Sequence, residues 1–252
     1  MGAPPPPPRL GRLRLAAVVA VFDSHLHIID QRFPLVPNQG YLPEPFTVDD
    51  YRAATDGLDV TGGAVVSGSF QAFDQTYLVD ALERLGPGFV GVTQLRGDET
   101  DEAIRSLDAA GVRAVRFNLH RGGELDEQLA LRVHELVGWH TEVYAGGQAL
   151  ARLEPRLREL PRLVVDHLGF DARALPVLRR LGAHVKATGF GRVALDVEAT
   201  LRTLDPSLLL FGTDLPGTRA RRPFEPRDLR LVERFAPAAL AENARAWYRP
   251  RA

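Results

Sequence analysis

The chain has 252 residues, 45% hydrophobic and 25% charged, the composition of an ordinary globular protein long enough to bury a substantial core. Lys and Arg total 31 against 32 acidic residues, and a net charge of −1 argues against a nucleic-acid or membrane-surface role, which needs a basic footprint. The absence of cysteine excludes disulfides, a thiol nucleophile and thiolate metal ligands.

The N-terminus runs through prolines 4–8 into Arg9, Arg12 and Arg14, which predicts a disordered Pro/Arg-rich tail over residues 1–16. A signal peptide is the alternative, since basic residues precede the apolar run 15–21. That run is short for an h-region, and cleavage there would cut into the first strand, so a cytoplasmic protein is expected. No run approaches the ~20 apolar residues of a membrane span.

The first predicted strand, 18–28, ends in Asp23-Ser24-His25-Leu26-His27. Side chains alternate along a strand, so His25 and His27 share a face, roughly 6–7 Å apart. Buried imidazoles must be paired or employed, which leaves a metal site, a catalytic site or a hydrogen-bonded core pair open. A long irregular stretch, 30–47, follows around Tyr41. Further strands are predicted at 62–69, 89–94, 112–118, 140–145, 162–168, 184–188 and 208–214, making eight. Apolar spacing predicts helices at 74–85, 99–110, 125–137 and 148–160, with closing helices at 226–235 and 237–248. Asp98 and Asp171 are candidate N-caps, and Gly86, Gly111 and Gly182 candidate C-terminal stops. Eight alternations in this length predict a single-domain α/β protein, a (β/α)8 TIM barrel over 17–252. An open doubly wound sheet is the competitor, and the missing glycine-rich phosphate loop after the first strand counts against it.

In such a barrel the active site lies at the carboxyl ends of the strands. Those ends carry His25 and His27, Ser67 and Ser69, Arg116 and Asn118, Tyr144, Asp166 and His167, Arg192, and Asp214. Any one alone reads as a turn or rim residue; the convergence from at least six strands reads as a site. Alternation puts Leu163, Val165 and His167 on one face of the sixth strand, so Asp166 is expected to face the helical layer in a structural role. Lys186, the only lysine, is expected to be a barrel-interior contact rather than a Schiff-base residue. His134, His140 and His184 read as structural, while His120 could touch a substrate.

Three motifs carry a resemblance: D-x-H-x-H at Asp23–His27, D-H-x-G at Asp166-His167-Leu168-Gly169, and G-T-D-x-P at Gly212-Thr213-Asp214-Leu215-Pro216. Together they resemble the amidohydrolase superfamily, and more closely its amidohydrolase-related branch, which includes 2-pyrone-4,6-dicarboxylate lactonases, decarboxylases and hydratases. The resemblance runs over residues 21–248. It implies that Asp214 is the general base for a hydrolytic water. His25, His27 and His167 would polarise the scissile carbonyl or, with Asp214, hold one divalent ion, zinc or manganese. The binuclear members use a bridging lysine or glutamate at mid-barrel; Arg116-Phe117-Asn118 supplies no lysine, so no two-metal site is expected.

An Arg116 guanidinium at the barrel mouth would repel such an ion, costing on the order of 4 kcal/mol at about 8 Å and an effective dielectric of 20. The lactonases resembled here work without metal and grip carboxylates with arginines, so a metal-free hydrolase is the favoured reading. It would open a lactone or related cyclic ester of a small carboxylic acid. The resemblance also implies substrate contacts at Arg116, Arg121, Arg192, Tyr144, Tyr41 and Ser69. The pyrone dicarboxylate lactonases carry an arginine shortly after D-H-x-G where this chain has Phe170, which points to a different acid. The alternative is a mononuclear metal-dependent decarboxylase or hydratase on the same scaffold.

Overall fold

The computed structural model describes residues 19–249; the tail expected at 1–16 lies outside the described residues. Eight parallel strands run in sequence order around the barrel: β1 (Ala20–Leu26), β2 (Asp59–Val66), β3 (Phe89–Thr93), β4 (Val112–Phe117), β5 (His140–Val143), β6 (Leu163–Val165), β7 (His184–Ala187) and β8 (Leu209–Phe211). Between and after them lie α1 (Val48–Ala54), α2 (Thr76–Leu85), α3 (Asp101–Ala110), α4 (Glu127–Val137), α5 (Gly147–Leu157), α6 (Ala174–Leu181), α7 (Val197–Thr203), α8 (Pro226–Phe235) and α9 (Glu242–Tyr248). This is the expected (β/α)8 architecture. Among the described residues no helix is long and apolar enough to cross a membrane.

The helix boundaries follow local chemistry. Gly86, Gly111 and Gly182 sit at the C-caps of α2, α3 and α6 as expected. Asp98 does not cap α3; Thr100 does, its hydroxyl accepting from the amide of Ala103. Asp171 is likewise not the cap residue of α6, which is Arg173. Helix α1, which follows the long irregular stretch directly, was not anticipated; a reciprocal capping box between Thr47 and Asp50 starts it.

Two apolar layers result. Phe22, Ala64, Val66, Val90, Val92, Ala114, Val164 and Leu210 form an inner cluster with Ala244 and Tyr248 of α9. The Tyr248 ring stacks on Phe22 with centroids 5.5 Å apart, closing the amino-terminal end of the barrel. A larger cluster fills the space between strands and helices and includes Leu163 and Val165. The membership of β6 therefore reverses the expected parity: Val164 points inward, and Leu163 and Val165 point outward.

Backbone bonds from the segment after β8 complete the circuit. Asp214 donates its amide to the His25 carbonyl at 2.7 Å, and His27 donates to the Leu215 carbonyl at 2.9 Å. The Asp23 carboxylate reinforces this closure by accepting from the Thr213 amide (2.8 Å), the Thr213 hydroxyl (2.6 Å) and the Tyr51 hydroxyl of α1 (3.1 Å).

Candidate active site

The site begins with irregularities at strand ends. In β1 the register against β2 slips between Asp23 and Leu26, so three residues of one strand span two of the other. This bulge turns Phe22 and His25 toward the interior while Asp23 reaches outward to Tyr51. The His25 and His27 rings meet edge to face with centroids 5.0 Å apart. After β6 the chain turns through positive φ at His167 and Leu168, both +52°. That turn ends the alternation, and Asp166 and His167 both enter the barrel mouth. His167 lies 4.6 Å, centroid to centroid, from His25. Asp214 after β8 has φ +61°, a left-handed conformation that costs on the order of 1 kcal/mol or more and aims its carboxylate inward.

Two glycines make room for these groups. A Cβ at Gly212 would come within 2.7 Å of the His25 amide nitrogen. A Cβ at Gly189, where φ is +66°, would lie 2.5 Å from His167 Nδ1.

Asp214 Oδ2 is gripped by Arg192, whose Nε lies at 2.7 Å and Nη2 at 2.6 Å. Asp214 Oδ1 is buried without a hydrogen-bond partner and lies 3.8 Å from Nε2 of both His25 and His27. Arg116 is equally committed: Nε and Nη2 donate to Asp166 Oδ2 at 3.0 and 2.8 Å, and Nη1 to the Ser67 carbonyl at 2.9 Å. Asp166 thus lies in the barrel interior, correcting the expectation that it faces the helices. The pairing also removes the repulsion argument against a metal, because the Arg116 charge is matched within 3 Å.

Lys186 is the interior contact expected. It is fully buried between Glu142 Oε2 at 2.5 Å, His25 Nδ1 at 3.3 Å and Asp166 Oδ1 at 3.4 Å. Glu142 Oε1 in turn accepts from the Tyr248 hydroxyl at 2.7 Å and lies 3.1 Å from His140 Nε2. Burial opposes ionisation of Asp166, but Lys186 and Arg116 outweigh it and hold its carboxyl well below the usual range. Burial, followed by neighbouring charge, pushes His25, His27 and His167 below the usual imidazole range, so all three are neutral at pH 7.

Above these groups opens a small cleft. Its buried walls include His27, His167, Arg116, Arg192 and Tyr144; Tyr41, Ser69 and Arg121 are half-buried at its rim. Every expected substrate-contacting residue therefore lines one cavity, with His25 and Asp214 beneath it. Arg219, which the sequence did not single out, also lines the cleft. Its guanidinium lies 4.4 Å from the Tyr41 ring centroid and donates to the Asn38 carbonyl, tying the loop after β8 to the loop after β1. His120 stacks at the edge of this region, 4.4 Å from Phe170 and 4.9 Å from Tyr144 between centroids.

His25, His167 and Asp214 can bring one ligand atom each to within 4.8 Å of one another; His27, the fourth expected ligand, is outside this group. His25 Nε2, His167 Nδ1 and Asp214 Oδ1 are all buried and without hydrogen-bond partners. Three such unpartnered atoms, two nitrogens and a carboxylate oxygen, fit a single divalent ion with room for water.

A barrel with ionisable groups converging at the carboxyl ends of its strands is the architecture of an enzyme. The amidohydrolase family profile matches residues 22–249, and the chain belongs to that family of hydrolases. It is 29% identical over 273 residues to a 4-sulfomuconolactone hydrolase of Rhizobium radiobacter, covering 94% of this chain and 91% of that protein. A second 4-sulfomuconolactone hydrolase, from Hydrogenophaga intermedia, is 27% identical over 84% of this chain and 79% of its own length. A 2-pyrone-4,6-dicarboxylate hydrolase of Comamonas testosteroni is 31% identical over 58% of this chain and 51% of its own. Among solved structures, an Agrobacterium tumefaciens protein has a TM-score of 0.81 at 22% identity, covering 92% of this chain and 96% of that one, which shows a shared fold.

Proposed function

We propose that this enzyme opens the ring of a lactone carrying an acidic group, with water as nucleophile. The observation that carries this reading is the free Oδ1 of Asp214, buried and 3.8 Å from two imidazole nitrogens while Arg192 occupies its other oxygen. A carboxylate oxygen with no other partner suits removal of a proton from water as that water adds to the carbonyl carbon. His25, His27 and His167 stand around the same point, and a ring N–H from this cluster would polarise the carbonyl as charge develops on its oxygen. The names of the relatives, 4-sulfomuconolactone hydrolase and 2-pyrone-4,6-dicarboxylate hydrolase, support a lactone as the substrate class.

The expected arginines are not equally free to hold the acid of the substrate. Arg116 and Arg192 are occupied by Asp166 and Asp214, so the anion is assigned to Arg121 and Arg219 at the rim, with Tyr41 and Ser69 beside it. Phe170 packs against His120 and Tyr144 as an apolar wall. A cytoplasmic setting goes with this reading.

The grouping of His25, His167 and Asp214 favours one other reading, a mononuclear metal-dependent decarboxylase or hydratase. A divalent ion held by these three residues would supply Lewis-acid polarisation. The deciding experiment is elemental analysis of the purified enzyme followed by a screen against lactones bearing carboxylate or sulfonate groups, before and after chelation. Ring opening that survives complete metal removal supports the metal-free reading, and activity lost on chelation and restored by one equivalent of ion overturns it. No turnover of any lactone in the panel by the metal-loaded or metal-free enzyme counts against the substrate class.

A further inference from the structure

Lys186 is the chain's only lysine, and its Nζ lies 3.3 Å from Nδ1 of an active-site ring, His25. An ammonium group only donates, and its Nζ meets Glu142 Oε2 at 2.5 Å and His25 Nδ1 at 3.3 Å. A ring nitrogen that accepts a hydrogen bond cannot carry a proton. With Lys186 as the donor in this contact, His25 Nδ1 is bare and its neutral ring carries the proton on Nε2, the atom that faces the site without a partner.

His27 has the opposite arrangement. Its Nδ1 lies 2.7 Å from the Val66 carbonyl oxygen, which only accepts, so His27 carries its proton on Nδ1 and leaves Nε2 bare. Both Nε2 atoms lie 3.8 Å from Asp214 Oδ1. Two chemically identical side chains thus present unlike faces to one point, a donor from His25 and an acceptor from His27.

We propose that Lys186 is a positioning residue that holds His25 in the Nε2–H tautomer, making His25 the imidazole that donates to the scissile carbonyl oxygen while His27 accepts from the water. This division of roles rests on the lactone-hydrolase reading above; the tautomer itself does not. Asp166 Oδ1, 3.4 Å from His25 Nδ1, is the competing partner that would draw the proton to the other nitrogen. Arg116 holds Asp166 through Oδ2, and Lys186 Nζ lies 3.4 Å from Asp166 Oδ1, so the ammonium stands against both the ring nitrogen and its competitor.

The test is long-range nitrogen–proton NMR on the full-length, 15N-histidine-labelled enzyme in chelator, with His25→Gln and His27→Gln used to assign the signals. The expected result is Nε2–H for His25 and Nδ1–H for His27. Nδ1–H at His25 in the wild-type protein overturns the proposal whether or not any lactone is turned over. In Lys186→Met the His25 proton should move to Nδ1, and kcat should fall about 100-fold with KM changed less than threefold. Retention of Nε2–H in that variant overturns the role of Lys186. Should the single variant not fold, Lys186→Met with Glu142→Gln removes both buried charges and is read in the same way. A correct tautomer pattern with no lactone turned over leaves Lys186 as the holder of His25 and counts only against the substrate assignment.

Discussion

Arg192 and Asp214 form a one-sided ion pair: both guanidinium contacts, at 2.7 and 2.6 Å, go to Oδ2, and Oδ1 is left bare among three imidazoles. The arrangement fixes the carboxylate without consuming it. Asp214→Asn keeps the shape but removes the base, and kcat for lactone opening is expected to fall 10²- to 10⁴-fold. Steady-state kinetics against a ring-opening assay checks this; wild-type kcat in the variant would remove Asp214 from the reaction. Arg192→Ala should also lower kcat, through a mobile carboxylate, with a smaller loss in Arg192→Lys.

The rim arginines predict a separate kinetic signature. Neither Arg121 nor Arg219 makes an ion pair among the described residues, and burial with the nearby Arg121 charge pushes Arg219 below its usual range. An arriving anion relieves that repulsion. Arg219→Ala is expected to raise KM about tenfold with kcat nearly unchanged, and the effect should shrink at high salt. Equal losses in kcat and kcat/KM would instead place Arg219 at the reacting centre.

The buried pair beneath the site governs stability. Burial opposes ionisation of Glu142, but Lys186 and His140 outweigh it and bring the carboxyl from 4.5 down to about 2. A carboxyl depressed in the folded state stabilises above its unfolded pKa, and the contribution is lost as pH falls from about 4.5 toward 2. Glu142→Gln, which strands the Lys186 charge, should cost about 3–5 kcal/mol at pH 7. The difference from wild type should narrow at pH 3, as read from urea unfolding at the two pH values.

Gly189 supplies a steric test. Alanine there would meet His167 Nδ1 at 2.5 Å and must hold φ near +66°. Gly189→Ala should destabilise the protein by about 1–3 kcal/mol and lower activity by displacing His167. Thermal unfolding and kcat together check it, and an unaltered kcat would mean that His167 tolerates the shift.

Metal affinity should depend on Lys186. A protonated Nε2 cannot ligate, so releasing His25 from Lys186 frees a third ligand beside His167 and Asp214. Lys186→Met is expected to bind Zn²⁺ at least tenfold more tightly than wild type by calorimetry. Equal affinity would show that Lys186 has no hold on that nitrogen.

Much of the barrel was legible because each strand is a short apolar run bounded by turn residues, and all eight fall where those runs predict. The convergence of His25, His27, His167 and Asp214 was legible for the same reason, since their strand ends share one face of the barrel. What failed was parity. In β6 alternation holds through Val164 and Asp166, which face inward, and the positive φ at His167 and Leu168 then brings His167 in as well, so taking His167 to set the parity put Asp166 on the wrong face. Pair relationships were also out of reach. Nothing local in the sequence says that Arg116 meets Asp166 50 residues on, or that Lys186 reaches Glu142 and His25. Arg219 was passed over because one arginine in an arginine-rich loop carries no periodic signal.

The Asp23–Thr213 contact joins positions 190 residues apart. A bond of that span forms only after the intervening chain has been ordered, because the closure entropy of so long a loop must be met by contacts already made. Asp214 and His25 flank that contact, so the base and its imidazole neighbours come together only as the ring of strands shuts. Half-barrel intermediates should be catalytically silent, and the return of activity during refolding becomes a clock for the final closing step.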